Sequence, residues 1–305
     1  MSGYFLRRIF LAVPLLLGVA TIIFSLIHMI PGDPAEVMLG AGAGAGDIED
    51  LRHRLGLDRP LGLQYIGFLK GLIQGDLGIS LHYRDPVSGL LAQRLPATLL
   101  LALASMIGAA AISLPAGIAS ALRPGGVIDR LTTIGSVVAL SMPSFWLGPL
   151  LILLFAIRLD WLPVSGMHEP GALILPALTL SASIAALLTR LLRASLLEES
   201  AALYVRAAQA RGLSPTLAAV RHALRNALPV VVTVAGLQMG SLLTGAILTE
   251  TIFSWPGLGR LLVQAIAYRD YPLVQGTVLL FAAIYVVVNL CADLTHALLD
   301  PRSAS

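Results

Sequence analysis

Few residues in this chain of 305 are equipped for covalent or metal chemistry, and their spacing argues against both. Cys291 is the only cysteine and sits in an apolar run, so neither a disulfide nor a thiolate cluster can be built; a small buried hydrophobe is its expected role. Lys70 is the only lysine and lies in Leu69-Lys70-Gly71, whereas a phosphate-binding loop needs Gly-x4-Gly-Lys followed by Ser or Thr. Nucleotide hydrolysis therefore has no seat here. His, Asp and Glu never cluster at ligand or acid-base spacing within the apolar stretches, and His53 and His82 read as solvated loop residues, His28 as an interfacial side chain. The informative pattern is instead one of docking, in residues 190–228. A helix rich in Ala and Arg runs up to Arg211, Gly212 stops it, and Ser214-Pro215 supplies the N-cap and first-turn proline of a second helix. On that second helix Leu217, Val220, Leu224 and Leu228 share one arc, with His222 and Asn226 opposite. Ala201, Ala202, Ala207, Ala208 and Ala210 offer lipid little apolar area but let another protein's backbone come close. An interfacial helix with Arg221 and Arg225 among headgroups is the alternative; a docking surface explains the whole element better.

The elements that position this segment follow from composition. The chain is 57% hydrophobic and 12% charged, with mean hydropathy +0.85, about half the charge of a soluble domain. A net charge of +3, with nineteen of the twenty bases arginine, makes neither a polybasic tail nor a nucleic-acid footprint. A spanning helix needs about 20 apolar residues, and six windows free of Asp, Glu, Lys and Arg provide them: residues 9–32, 95–122, 131–157, 170–189, 227–249 and 271–292. Six all-helical spans are expected, because unpaired backbone groups are costly in hydrocarbon. The first window is too long for a secretory leader and is expected to stay uncleaved. Placing both termini in the cytoplasm puts eleven arginines inside and three in the short outer loops, which satisfies the positive-inside rule. Pro115, Pro143, Pro149 and Pro176 are candidate kinks. Asp293, at the inner end of the last helix, reads as structural. The expected divisions are residues 1–32, tail and first helix; 33–94, an extracytoplasmic helical loop; and 95–305, a five-helix core holding the 190–228 loop. Within the outer segment Gly40 to Gly46 is a flexible tract, Asp47 an N-cap, Gly56 a stop, and Tyr65, Phe68, Leu69, Leu72 and Ile73 mark a helix ending by Gly75.

The run Tyr204-Val205-Arg206-Ala207-Ala208-Gln209-Ala210-Arg211-Gly212-Leu213-Ser214, followed by His222-Ala223-Leu224-Arg225-Asn226-Ala227-Leu228-Pro229, resembles the EAA loop of binding-protein-dependent ABC importer permeases. More narrowly, the chain resembles the first permease subunit of dipeptide, oligopeptide, glutathione and nickel importers over nearly its whole length. Arg7-Arg8, Pro31-Gly32-Asp33-Pro34, Leu55-Gly56-Leu57-Asp58-Arg59-Pro60 and Gly75-Asp76-Leu77-Gly78 carry the likeness first. Met142-Pro143-Ser144-Phe145-Trp146, the run from Glu250 to Gly259, Arg269-Asp270-Tyr271-Pro272 and Asp300-Pro301-Arg302 follow. Each motif is weak alone; their joint order is specific. Arg206 stands where the broad pattern has glutamate, and Gly212 lies four residues further from Leu228-Pro229 than in the broad consensus, two features of the peptide branch.

The resemblance implies an all-α, six-span type I importer permease in the bacterial inner membrane, without catalytic residues, metal or cofactor of its own. ATP and Mg would sit on two partner ATPase subunits, with a second homologous permease and an extracytoplasmic binding protein completing the assembly. Coupling to the ATPase is expected from Tyr204, Arg206, Ala207, Ala208, Arg211, Gly212, Leu213, Ser214, His222, Arg225 and Asn226. Pore or outer-gate candidates are Ser141, Met142, Pro143, Phe145, Gln238, Glu250, Phe253, Trp255 and Pro256. Di- or oligopeptides are the expected cargo, with glutathione or a nickel chelate as the alternative. An ion-driven transporter is remoter, since no acidic or basic relay interrupts the six windows.

Overall fold

The computed structural model describes residues 2–29, 33–39, 42 and 44–299. Pro31-Gly32, most of the tract at 40–43 and Asp300-Pro301-Arg302 lie outside the described residues, as do the side chains of Arg7 and Arg8. Among the described residues the regular structure is helical apart from one isolated bridge, Ile79 to Pro86. Ser2–Met29 forms α1, Pro34–Leu39 α2, Ala45–Leu55 α3, Leu61–Ile73 α4 and Val87–Leu122 α5. Val127–Ser141 forms α6, Ser144–Leu151 α7 with a π-helical continuation Ile152–Arg158, and Ile174–Ser200 α8. Leu203–Ala210 is α9, Pro215–Ala218 α10, Ala219–Ala223 a second π turn, Leu224–Ile252 α11, Leu258–Ala267 α12 and Tyr271–Leu299 α13.

The six windows become these helices with one correction. α5, α8, the run Pro215–Leu243 that leads from α10 into α11, and α13 are each long and apolar enough to cross a bilayer, and α1 has 28 residues with an apolar stretch over Phe10–Leu26. The third window is not one straight span: α6 and the α7 segment meet at a bend of 108°. Proline causes it, because Pro143 offers no amide hydrogen and forces Met142 into an extended conformation (φ −89°, ψ 117°). Pro149 lies within α7, one turn before the π-helical stretch. Pro115 and Pro176, also candidate kinks, break nothing: α5 runs unbroken through the first, and the second sits in the first turn of α8, where no intrahelical donor is lost. In the outer segment the expected Asp47 cap is corrected. Gly44 holds the N-cap position of α3 and Asp47 lies in the first turn, while Gly56 ends the helix at φ +66° as expected.

Two compact units result, one of Thr98–Trp255 with the chain from Val287 on, the other of Ser2–Ala97 with Pro256–Val286. In the first, α8 is the central helix. Leu188, Leu192 and Leu196, four residues apart, are buried on its contacts, and α6, α7 and α11 pack around it. Small residues set the close approaches: a Cβ on Gly117 would meet Leu192 at 3.0 Å, and one on Gly236 would meet Ala292 at 2.9 Å. In the second unit, α12 buries Leu258, Leu261 and Ala265 against Val87, Leu90, Leu91 and Leu273. Asp270 ties the loop after Ile79 to the start of α13, its Oδ2 accepting from Ser80 Oγ (2.5 Å) and from the His82 amide (3.1 Å). The His82 ring stacks on Tyr268 at 3.6 Å. His28 bonds to Gln64 at 3.0 Å and Thr21 to Tyr65 at 2.6 Å, which joins α1 to α4.

Candidate coupling site

After Ser200 the chain leaves α8, turns through an extended Ala202 (ψ 149°) and enters α9. Gly212 then adopts φ +98° with no atom within 4 Å of the place a Cβ would occupy. Glycine is required there by backbone conformation and not by crowding. The Gly212 amide donates to Gln209 O (2.9 Å) and Leu213 N to Ala208 O (3.3 Å), which closes the end of α9. Ser214 caps α10 by accepting from Leu217 N at 3.3 Å, with Pro215 in the first helical position.

α9 has two faces. Val205 and Ala208 are buried, whereas Leu203, Arg206, Ala207 and Ala210 are exposed, at spacings of three, four and seven residues that define one helix face. Leu203 is 83% exposed on this face. Ala208, expected on the docking face, instead packs inward. Leu213 is half-buried and Arg211 exposed, with its Nε on Ala207 O.

Of the apolar arc on the second helix, Leu224 and Leu228 are half-buried. Leu217 and Val220 stay exposed, and Ala218, Ala219, Ala223 and Ala227 are the buried residues. The physical reason is closeness: the π turn runs against α8 and α9, and only methyl-sized side chains fit there. His222 is half-buried on that turn and Arg225 is exposed.

Tyr204 and Asn226 bond to each other. Tyr204 Oη donates to Glu199 and accepts from Asn226 Nδ2 at 2.9 Å, joining the end of α8, α9 and the start of α11. Burial pushes the Tyr204 hydroxyl above its ordinary value, the Glu199 bond adds to the rise, and the Asn226 bond works against it. The phenol therefore stays protonated and keeps donating at neutral pH. These two residues position the element.

Of the pore candidates, Ser141, Pro143 and Phe145 are exposed around the α6–α7 break, and Met142, Gln238 and Pro256 are half-buried. Ser141 Oγ donates to its own helix at Val137 O (2.8 Å). Glu250, Phe253 and Trp255 are fully buried inside the chain, so none lines an open passage in this conformation. Glu250 accepts from Thr98 Oγ1 at 2.7 Å, and Phe253 packs with Ala156 and Leu175 beside Gly148. A cluster not singled out from the sequence joins Asp129 of α6 to Arg193 of α8 by two bonds, 2.5 and 2.8 Å. A separation of 64 residues hides it from any local pattern. Among the described residues no group of three or more His, Cys, Asp or Glu could hold a metal.

Long apolar helices and a proline-broken span make this a multi-pass membrane protein. The chain belongs to the family of binding-protein-dependent transport system inner membrane components, which matches residues 113–305, with the corresponding N-terminal family matching residues 1–102. It is 42% identical over 301 residues to the glutathione transport system permease protein GsiC of Escherichia coli (strain K12), covering 99% of this chain and 98% of that one. The protein of the same name from Pectobacterium atrosepticum is also 42% identical over 301 residues, with the same coverage. Among solved structures, the inward-facing MetNI methionine ABC transporter matches with TM-score 0.56 at 20% identity, over 69% of this chain and 96% of that chain. That likeness shows the type I permease fold. The chain is thus a non-catalytic permease subunit of an ABC importer, working with ATPase and binding-protein partners.

Proposed function

We propose that this chain is one of two homologous permeases that import short peptides, driven by two ATPase subunits and fed by an extracytoplasmic binding protein. ATP and Mg belong to the ATPases. Glutathione, itself a tripeptide, is the favoured cargo because it is named in the relatives that are 42% identical; other di- or oligopeptides and a nickel chelate are the alternatives. Both termini lie in the cytoplasm, on the arginine bias, and residues 33–94 form the outer face that receives the binding protein. Within the core, residues 95–305, the surfaces of Ser141, Met142, Pro143, Phe145 and Gln238 border the path.

The exposed stripe Leu203, Arg206, Ala207 and Ala210 carries the coupling role. It is backed by the buried Val205 and Ala208, tied to α11 through Tyr204, and ended by Gly212. Arg211, Leu213, Ser214, His222 and Arg225 flank it. ATPase closure moves this stripe, and nucleotide shifts the permease only through contacts that differ between its two states. Transport of labelled glutathione, a dipeptide and a nickel chelate into proteoliposomes holding the full complex tests the cargo. Saturable, ATP-dependent uptake of glutathione is expected. Uptake of the nickel chelate alone rejects the peptide class.

A further inference from the structure

We propose that the Asp129–Arg193 pair is a strut that carries movement of α9 to the broken span, with both side chains as positioning residues; this rests on the coupling role proposed for α9. Arg193 Nε donates to Asp129 Oδ1 at 2.5 Å and Nη2 to Oδ2 at 2.8 Å, a two-pronged contact that fixes both distance and angle. The same carboxylate accepts from Ser120 Oγ (2.5 Å) and from the Gly125 amide (2.8 Å). One carboxylate thus joins the last turn of α5, the corner before α6, the first turn of α6 and the inner half of α8.

Its place in the chain suits a mechanical role. Arg193 lies two turns before the end of α8, after which α9 begins, and α6 runs from Asp129 directly to the 108° bend at Pro143. Gly117 seats α5 on Leu192, adjacent to Arg193 in the chain, where a Cβ would find only 3.0 Å. The helices therefore have little slack to absorb a displacement of α8. Apolar contacts resist separation but are not directional, so they let helices slide; a two-pronged ion pair resists sliding as well. Stability alone would not call for charges here, since a buried ion pair is commonly matched by apolar residues of similar volume. The Asp129 side chain is only 7% exposed and Arg193 is 32% exposed, so the carboxylate end of the pair is the shielded one.

The test uses the full complex in proteoliposomes, reading ATP hydrolysis and cargo uptake together. D129N removes the charge of the acceptor; R193K keeps the positive charge but loses the fork, and serves if D129N fails to assemble. Both variants are expected to retain ATPase subunits in pull-down and substrate-stimulated hydrolysis within about twofold, while cargo moved per ATP falls about tenfold, within the usual range of coupling between sites. Proportional loss of hydrolysis and uptake would make the pair a stabilising pin and overturn the strut, as would an unchanged ratio in both variants. Ala207→Glu, measured beside them, separates the two proposals. If it leaves pull-down and hydrolysis normal, the coupling role of α9 has failed. If it is defective while D129N and R193K stay coupled, only the strut has.

Discussion

Replacing Gly212 isolates backbone geometry from packing. The residue sits at φ +98°, and a Cβ there meets no atom within 4 Å, so any penalty is conformational. Holding a non-glycine residue in such a region costs about 1–3 kcal/mol. If the loop relaxes to relieve that strain, the α9–α10 geometry needed for docking is populated about 5 to 150 times less. Gly212→Ala should therefore be nearly as harmful as the bulkier Gly212→Val, with the β-branched residue worst, and Gly212→Asn should be mildest because asparagine tolerates positive φ. Substrate-stimulated ATP hydrolysis of the reconstituted complex, titrated with ATPase subunits, reads the shift as a raised half-saturating concentration. Membrane insertion should be unchanged. An effect that grows with side-chain volume, with Asn worse than Ala, would refute the conformational explanation and point to a crowded interface.

Three further outcomes follow from the packing. Glu250→Ala removes a buried carboxylate to which Thr98 Oγ1 donates, so thermal stability of the purified complex should fall by about 1–3 kcal/mol; changed cargo kinetics at unchanged stability would return Glu250 to the pore. Gly276→Ala places a Cβ 2.5 Å from Val87 Cγ1 and should destabilise by about 1–3 kcal/mol, with Val87→Ala in the same chain restoring part of the loss; no recovery would mean that α13 does not press on Val87. Hydrogen bonding to Arg52 holds the Asp33 carboxyl below its ordinary 3.8, so the pair contributes above about pH 4 and is lost as pH falls through the lowered value. Asp33→Asn should accordingly speed proteolysis of residues 33–60 at pH 6, with the difference from the parent shrinking in acid; a pH-independent difference would contradict the pairing.

The spans were legible because absence of charge over twenty residues has one economical meaning in a membrane. Gly212 and Ser214 were legible because helix ends depend on local backbone chemistry. The bend was legible at Pro143, a candidate kink, but its size was not, since hydropathy reads the same on both sides of a break. The face by which α10 and α11 pack inward was not legible, because apolarity does not say how near the neighbour comes, and the residues buried there are alanines. Glu250, Phe253 and Trp255 stood where a span meets a loop, and a carboxylate beside two aromatics there resembles a pore mouth; Thr98, 152 residues away, receives the carboxylate instead. Asp129 and Arg193 pair across 64 residues, beyond any sequence spacing.

The central claim is that the Ala207 face of α9 meets an ATPase subunit. With Cys291, which is exposed and not buried as its apolar run suggested, changed to serine, a cysteine at Ala207 should crosslink to the ATPase through a short thiol reagent, with a yield that changes between nucleotide-free and ATP-bound states. A cysteine at the buried Ala208 should not. Labelling of the Ala207 position by headgroup-directed lipid probes, with no ATPase crosslink in either state, would contradict the account and leave α9 lying on the membrane surface.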